Sequence, residues 1–221
     1  MKTIKLLTLL MIATIFTISC DKDENLLDEN VEQKVTSLEE TDLSITSKDQ
    51  KYRNFKLITD NKTPANAISY VKQRIDQLYA SGLKNSSITK MTKVKSIYLA
   101  TDIGFRDLLY EPFNQRVVMN DYNQFVKDNR NINFVIHELA HFYEHKHLSQ
   151  KQKNTLKALM ANARKKKIYP NSAKVMQGRS EYLATSVEAY FAKGSTKRHP
   201  FNRKTIQQKD PQMAQFIKAN F

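Results

Sequence analysis

The distribution of apolar and polar residues predicts a small sheet in the first half of the chain. Three segments are short and rich in β-branched residues, which is typical of strands: FKLITD (55–60), VKSIYLA (94–100) and QRVVMN (115–120). Between the first two, Thr63 as N-cap, Pro64 at the first helical position and Gly82 as the stop predict one long helix. The segment TDIGFRDLLYEPFN before the third is predicted to be an irregular connection.

The second half of the chain is predicted to be helical. Helices are expected over four ranges: 131–147, 150–166, 181–192 and 211–219. Ser149 with Gln152 matches a capping box, Ser180 precedes the third helix, and Asp210 with Pro211 opens the fourth. The pattern therefore predicts an α+β fold, with a small N-terminal sheet and helices followed by a helical half. Neither a repeat nor a second domain is visible.

The first twenty residues, MKTIKLLTLLMIATIFTISC, resemble a bacterial lipoprotein signal. Their apolar run, residues 6–18, is too short for a typical membrane span. Ser19 before the lone cysteine, Cys20, resembles a lipobox, although Thr17 stands where leucine is more usual. We expect residues 1–19 to be removed and Cys20 to be lipidated, which would anchor an outer-membrane lipoprotein. The alternative is a free thiol near a soluble terminus.

Residues 20–50 are predicted to be an acidic, disordered tether behind the lipidated cysteine. Residues 21–50 contain ten acids, three lysines, no aromatic residue and no sustained period. The opening CDKDEN also resembles the acidic tag of lipoproteins that some Gram-negative bacteria display outward. That resemblance implies exposure on the cell surface.

The remaining residues, 51–221, form a strongly basic segment. The chain has 22 acids and 36 bases; without the tether and the two lysines of the signal, 12 acids and 31 bases remain, a net charge of +19. Such a charge attracts nucleic acid, anionic headgroups and acidic polypeptides alike. No recognised nucleic-acid reader module accompanies it, so we do not expect nucleic acid as a partner. We expect one monomeric domain that is stabilised by an apolar core.

The segment NFVIHELAHFY carries the candidate chemistry. His137 and His141 are one helical turn apart on the same face, so both imidazoles can reach one cation. Glu138 is placed to take a proton from a water molecule whose pKa the cation lowers. This HExxH pattern is the signature of zinc peptidases. The apolar residues around it favour a buried helix over a surface helix with solvated histidines.

A catalytic zinc ion usually has three protein ligands, so a third must be found. Two of the four candidates are histidines. His145 is eight residues beyond His137, about 12 Å along a helix, which is too far to share one ion. His147 occupies the third-ligand position of metzincins, but that pattern needs a glycine to turn the chain where Glu144 stands. We expect neither histidine to be a ligand.

The other two candidates lie in SEYLATSVEAYFA. Glu181 begins a predicted helix, and Ala184 leaves room for two helices to approach closely. Glu188 lies on nearly the same face two turns later, where it could orient a histidine or be the ligand itself. We favour Glu181 as the ligand. For either glutamate, the alternative is a capping or surface charge.

These motifs resemble the zinc peptidase domain of anthrax lethal factor and its relatives, which is of the gluzincin type. The resemblance rests on HELAH, on GRSEYLATSVEAYFAKG and on KDPQMAQFIKANF. It covers about residues 51–221, most closely 134–221. It implies an endopeptidase with three zinc ligands and one general base: His137, His141 and Glu181 on the ion, and Glu138 as the base.

Two positions depart from that family. Relatives carry a second glutamate four residues after the ligand, where this chain has Thr185, so orientation of the ligands would fall to Glu188. Relatives also place an oxyanion-stabilising tyrosine about seven residues before the third ligand, where this chain has Lys174. Three nearby residues could supply a donor, none at the family spacing: Tyr169, Arg179 and Tyr182.

The sequence thus predicts an extracytoplasmic, membrane-anchored zinc endopeptidase that acts on a protein or peptide substrate. The strand containing RVVMN is expected to be able to pair with an extended substrate. The alternative is a surface binding protein or adhesin that keeps the peptidase fold, has weak or no turnover, and binds through its basic face.

Overall fold

A mixed five-stranded sheet forms one side of the fold. The computed structural model describes residues 47–101, 108–120, 122 and 132–221. The strands in this part of the chain are β1 (Lys48–Tyr52), β2 (Phe55–Thr59), β3 (Ser96–Tyr98), β4 (Leu108–Glu111) and β5 (Arg116–Met119), in the spatial order β1-β2-β3-β5-β4. The three central strands run parallel, and β1 and β4 flank them antiparallel.

The register of the parallel strands aligns apolar residues across the sheet. Leu57 pairs with Ile97, and Ile97 pairs with Val117, and all three side chains are fully buried. Parallel neighbours need a crossover connection, which here consists of α1 (Ala65–Tyr79) and α2 (Asn85–Met91) between β2 and β3.

Helices make up most of the remaining described residues. They are α3 (Phe134–His147), α4 (Gln150–Lys165), a 3₁₀ turn (Lys174–Met176), α5 (Arg179–Phe191), α6 (Arg203–Lys209) and α7 (Pro211–Asn220). The central one, α3, packs against α1, α2, α5 and the two strands β4 and β5. The predicted α+β class is therefore confirmed.

The predicted elements match the observed ones where local signals are strong. The capping box of Ser149 and Gln152 opens α4, and Asp210 caps α7 with Pro211 at its start. Thr63 is not the cap of α1, because its hydroxyl donates to Asp60 Oδ1 at 2.8 Å instead.

Five short elements were not predicted: β1, β4, α2, the 3₁₀ turn and α6. Strand β4 lies within the segment that was expected to be irregular. Strand β1 crosses residue 50, the predicted end of the tether, so the sheet begins at Lys48. Each of the two strands pairs through a short hairpin with the strand that follows it, β1 with β2 and β4 with β5.

The signal over residues 1–19, the lipidation site Cys20 and most of the acidic tether lie outside the described residues. Among the helices that are described, none combines the length and apolar character needed to cross a membrane.

Candidate metal centre

Helix α3 carries the HExxH motif through the interior of the domain. The side chain of Asn133 accepts a hydrogen bond from the backbone N–H of Ile136 and so caps the helix. Apolar residues surround the motif on nearly every face, and His137 and Glu138 are themselves only 1% and 3% exposed. The prediction of a buried helix is therefore confirmed.

The two imidazoles of the motif face each other across one helical turn. The Nε2 atoms of His137 and His141 are 3.3 Å apart. Helix α5 brings the carboxylate of Glu181 to the same point, with one oxygen 3.4 Å from His137 Nε2 and the other 3.6 Å from His141 Nε2. The structure thus brings together the three residues that were predicted as ligands.

Glu138 lies beside the two histidines. Its Oε1 is 4.0 Å from His137 Nε2, and ligand atoms of His137, Glu138 and His141 all lie within 4.8 Å of one another. This buried group could hold a metal ion.

Both histidines are oriented through their second ring nitrogen. The Nδ1 of His137 is 3.2 Å from Glu188 Oε2, and the Nδ1 of His141 is 2.6 Å from the hydroxyl of Ser180. Protons on both Nδ1 atoms leave both Nε2 lone pairs free to bind a cation. Glu188 therefore lies behind His137, in the orienting position and not at the Nε2 side.

The role of Ser180 differs from the predicted one. Helix α5 begins at Arg179, so Ser180 lies in its first turn and does not cap it. The helix starts earlier because the backbone N–H of Tyr182 donates to the carbonyl oxygen of Gly178 at 2.8 Å. The ion pair between Arg179 Nε and the buried carboxylate of Glu144, at 2.8 Å, ties the first residue of α5 to α3. This pair also fixes where Glu181 enters the site.

Electrostatics favour positive charge at this centre. Burial lowers the pKa of His137, but its contacts with Glu181 and Glu188 more than offset this effect and raise the pKa to about 9. Burial raises the pKa of Glu181, but contacts with His137 and His141 outweigh it and hold that pKa well below its usual range. Both shifts stabilise the charged forms of the two groups, a positive His137 and a negative Glu181.

Two further residues contact the centre, although neither was predicted to do so. Arg198, in the loop after α5, hydrogen-bonds Glu188, and its Nη2 is 3.3 Å from His137 Nδ1. The hydroxyl of Thr185 donates to Glu181 Oε2 at 3.4 Å. Thr185 stands where the lethal factor relatives carry their second glutamate, and it contacts the predicted ligand. No local sequence signal marks Arg198, because its partners lie on α3 and α5.

Of the three residues that could supply an oxyanion donor, two are paired with carboxylates outside the metal-binding group. Tyr182 is fully buried, and its hydroxyl donates to Asp210 Oδ2 at 2.5 Å. Arg179 pairs with Glu144. Tyr169 is 1% exposed, with its ring against His199. Instead, the Nζ of Lys174 lies 3.6 Å from Glu181 Oε2.

The histidines at the end of α3 lie outside the metal-binding group, as expected. His145 is exposed, and its Nδ1 is 2.9 Å from the hydroxyl of Tyr110. The Nε2 of His147 is 3.2 Å from the carbonyl oxygen of Lys90.

The expectation that RVVMN pairs with a substrate is wrong. The strand with this sequence is β5, which is hydrogen-bonded to β3 on one side and to β4 on the other. Within the described sheet, β4 is the edge strand next to α3, with Tyr110 packed edge-on against Phe142.

Comparison with protein-family models, with curated proteins and with solved structures finds no match to this chain. The resemblance to the lethal factor relatives stays a prediction from the motifs. The functional conclusion therefore depends on the geometry of the site.

Proposed function

We propose that this chain is a zinc-dependent endopeptidase, anchored outside the cytoplasm through a lipid on Cys20. The observation that carries the proposal is the convergence of His137, His141 and Glu181 beside the carboxylate of Glu138. The 3.3 Å between the two Nε2 atoms supports zinc, because bonds of about 2.0–2.1 Å to a tetrahedral ion place neighbouring ligand atoms about 3.3–3.4 Å apart. The two oxygens of Glu181 lie at similar distances, 3.4 Å from His137 Nε2 and 3.6 Å from His141 Nε2.

The donor set also suits zinc chemically. Two imidazole nitrogens and one carboxylate are the ligands of known catalytic zinc sites, and they leave a fourth position for water or substrate. A bound zinc ion would polarise the substrate carbonyl and lower the pKa of the attacking water. Glu188 and Ser180 hold the imidazoles with their Nε2 atoms turned inward.

Glu138 provides the base for hydrolysis. Its carboxylate accepts one proton from water as the water oxygen bonds to the carbonyl carbon, and delivers a proton to the amine nitrogen as the C–N bond breaks. The carboxylate is shielded, with a side chain 5% exposed, so few bulk waters compete for its hydrogen bonds.

An extended substrate would bind along β4. Edge strands present unpaired backbone groups, and peptide binding by strand addition uses them. Strand β4 thus takes the place of β5 as the proposed substrate-binding strand, and the substrate would lie on the side of the sheet that borders α3.

The proposal is tested by metal content and cleavage in parallel. We expect about one zinc per chain and cleavage of a peptide library by the wild-type protein, abolished by a chelator and restored by zinc. Glu138→Ala and Glu138→Gln should keep the zinc and cleave about 10²–10⁴-fold more slowly. Cleavage at the wild-type rate by Glu138→Ala would end the proposal. Palmitate labelling that is lost in Cys20→Ala tests the anchor.

A second candidate function is binding of an acidic partner without turnover. The observation that favours it is a cavity of about 440 Å³ between the end of α1, the start of α3 and the loop after α5. Four basic residues and no acidic residue line it: Arg74, Lys193, Arg203 and Lys204. Tight zinc binding without cleavage, combined with salt-sensitive binding to heparin that Arg203→Gln weakens, would favour this function.

A further inference from the structure

Lys174 brings a positive charge to the solvent side of the candidate metal centre. Its Nζ is 3.6 Å from Glu181 Oε2, the same oxygen that lies 3.4 Å from His137 Nε2. The side chain of Lys174 is 38% exposed, whereas that of His137 is 1% exposed. The ammonium group therefore borders the site where a substrate can enter.

The other cation near the centre lies on its buried side. Arg198 contacts Glu188 and the Nδ1 edge of the His137 ring, which faces away from the Nε2 atoms. Among the described ion pairs, Lys174 supplies the only lysine or arginine partner of Glu181. Of these two cations, Lys174 is therefore the one placed to interact with a negative charge that forms beside the Nε2 atoms.

The backbone that carries Lys174 is fixed. Lys174 opens the 3₁₀ turn, whose next two residues, Val175 and Met176, are 0% and 2% exposed. The guanidinium of Arg164 donates to the carbonyl oxygen of Met176 at 3.0 Å and ties the turn to α4. The anchored backbone fixes where the side chain starts, and the ion pair with Glu181 holds its Nζ beside the site. A donor that is already held near the reacting atoms needs less rearrangement at the moment of reaction.

We propose that Lys174 is a catalytic residue that stabilises the oxyanion of peptide hydrolysis, an inference that rests on the proposed function. As water adds to the carbonyl carbon, the electron pair of the C=O double bond moves to the oxygen. The Nζ–H of Lys174 donates a hydrogen bond to that oxygen. The electron pair returns when the C–N bond breaks, and Lys174 keeps its proton throughout.

A merely structural role for Lys174 gives a different expectation. If the ammonium only holds the Glu181 carboxylate in place, its removal weakens zinc binding and leaves kcat unchanged once zinc is saturating. If it stabilises the oxyanion, its removal lowers kcat and leaves zinc affinity within a few-fold. The two roles are therefore separable by measurement.

The experiment compares full-length wild-type protein with Lys174→Met and Lys174→Arg, each saturated with zinc. Lys165→Met is the control, because it removes the same charge from an exposed position in the last turn of α4. We expect kcat to fall about 10²–10³-fold in Lys174→Met, with KM little changed, and to recover partly in Lys174→Arg. A wild-type kcat in Lys174→Met, or one restored by zinc alone, overturns the proposal.

A binding measurement does not depend on turnover. A phosphinic tripeptide carries a tetrahedral anion where the matching amide tripeptide carries a neutral carbonyl. Wild-type protein should bind the phosphinate at least 10²-fold more tightly than the amide, and Lys174→Met should lose most of that preference. No preference in the wild type overturns the proposal. The protein could also cleave no peptide and still prefer the phosphinate in a way that depends on Lys174. That result would refute the proposed peptidase function but support the contact between Lys174 and the tetrahedral anion.

Discussion

Asp60 and Glu188 are both buried carboxylates, 5% and 1% exposed, but their surroundings differ. Asp60 accepts four hydrogen bonds from uncharged donors: Lys62 N at 2.9 Å, Thr63 Oγ1 at 2.8 Å, Thr101 N at 2.6 Å and Thr101 Oγ1 at 2.7 Å. Glu188 accepts one bond from the backbone N–H of Asn133, at 3.0 Å, and otherwise faces His137 and Arg198.

The difference separates a structural carboxylate from one that serves a site. The donors to Asp60 follow β2 and β3, so Asp60 joins the ends of two strands and needs nothing from outside the fold. One partner of Glu188 is the imidazole of His137, whose Nε2 faces the candidate metal centre. The interaction between Glu188 and His137 therefore depends on what the centre holds. A buried carboxylate against a histidine is therefore the better marker of function.

The largest effect is expected from Glu188→Ala. The substitution leaves His137 and Arg198 without their buried carboxylate, and removal of one partner of such a pair costs about 3–5 kcal/mol. We expect about 3 kcal/mol lower stability in urea unfolding with EDTA, because Arg198 is 21% exposed by its side chain and can be hydrated. Zinc affinity should fall about 100-fold, measured by competition with a chelator.

Glu188→Gln is the matched control for that prediction. The amide keeps the shape and can still accept the Nδ1–H of His137, so we expect a smaller loss of zinc affinity than in Glu188→Ala. The prediction is wrong if the unfolding free energy of Glu188→Ala lies within about 1 kcal/mol of the wild-type value and its zinc affinity is unchanged. Glu188 would then contribute no more to the metal centre than Asp60 does.

The parts of the fold and site that the sequence predicts depend on neighbours along the chain. The pairing of His137 with His141 needs only the i, i+4 spacing of a helix. The cap of α4 needs only Ser149 and Gln152, and the cap of α7 needs only Asp210; each residue lies within one turn of the helix start. These local interactions are present in the fold because the packing of α4 and α7 leaves the capping side chains in place.

Most of the parts that were missed depend on distant residues. Ser180 has the sequence signature of an N-cap, yet α5 starts at Arg179, whose side chain pairs with Glu144 on α3. Strand β4 is the exception, because its partner β5 follows after a four-residue turn; β4 was missed because it has too few residues to show a period. Arg198 reaches Glu188 from a loop that carries no motif. No residue pattern within these segments specifies the partner.

The second prediction concerns the stability that Asp60 contributes as a function of pH. Burial raises the pKa of Asp60, but its hydrogen bonds more than offset this effect and lower it to about 2, against about 3.9 in the unfolded chain. A depressed pKa gives stability that is complete above about pH 4 and is lost as pH falls through about 2. The contribution is about 2 kcal/mol, and urea unfolding of wild type and Asp60→Asn from pH 5 to pH 2 measures it.

The difference in unfolding free energy between wild type and Asp60→Asn should shrink as pH falls through that window, with or without zinc. Asp49→Asn, at an exposed carboxylate that pairs with Lys56 on the sheet surface, should change stability by less than about 0.5 kcal/mol. A difference that stays constant down to pH 2, or that depends on zinc, would contradict the structural role of Asp60.

The smallest effect is expected from Ser180→Ala, which asks whether an uncharged partner orients a histidine as Glu188 does. The substitution removes the acceptor 2.6 Å from His141 Nδ1 but leaves no buried charge unpaired. We therefore expect a loss of stability of about 1 kcal/mol or less and about tenfold weaker zinc binding, measured as for Glu188→Ala. Ser180→Thr, which keeps a hydroxyl, should restore most of the affinity. Zinc binding by Ser180→Ala as weak as that of Glu188→Ala would mean that the charge of Glu188 adds nothing beyond orientation.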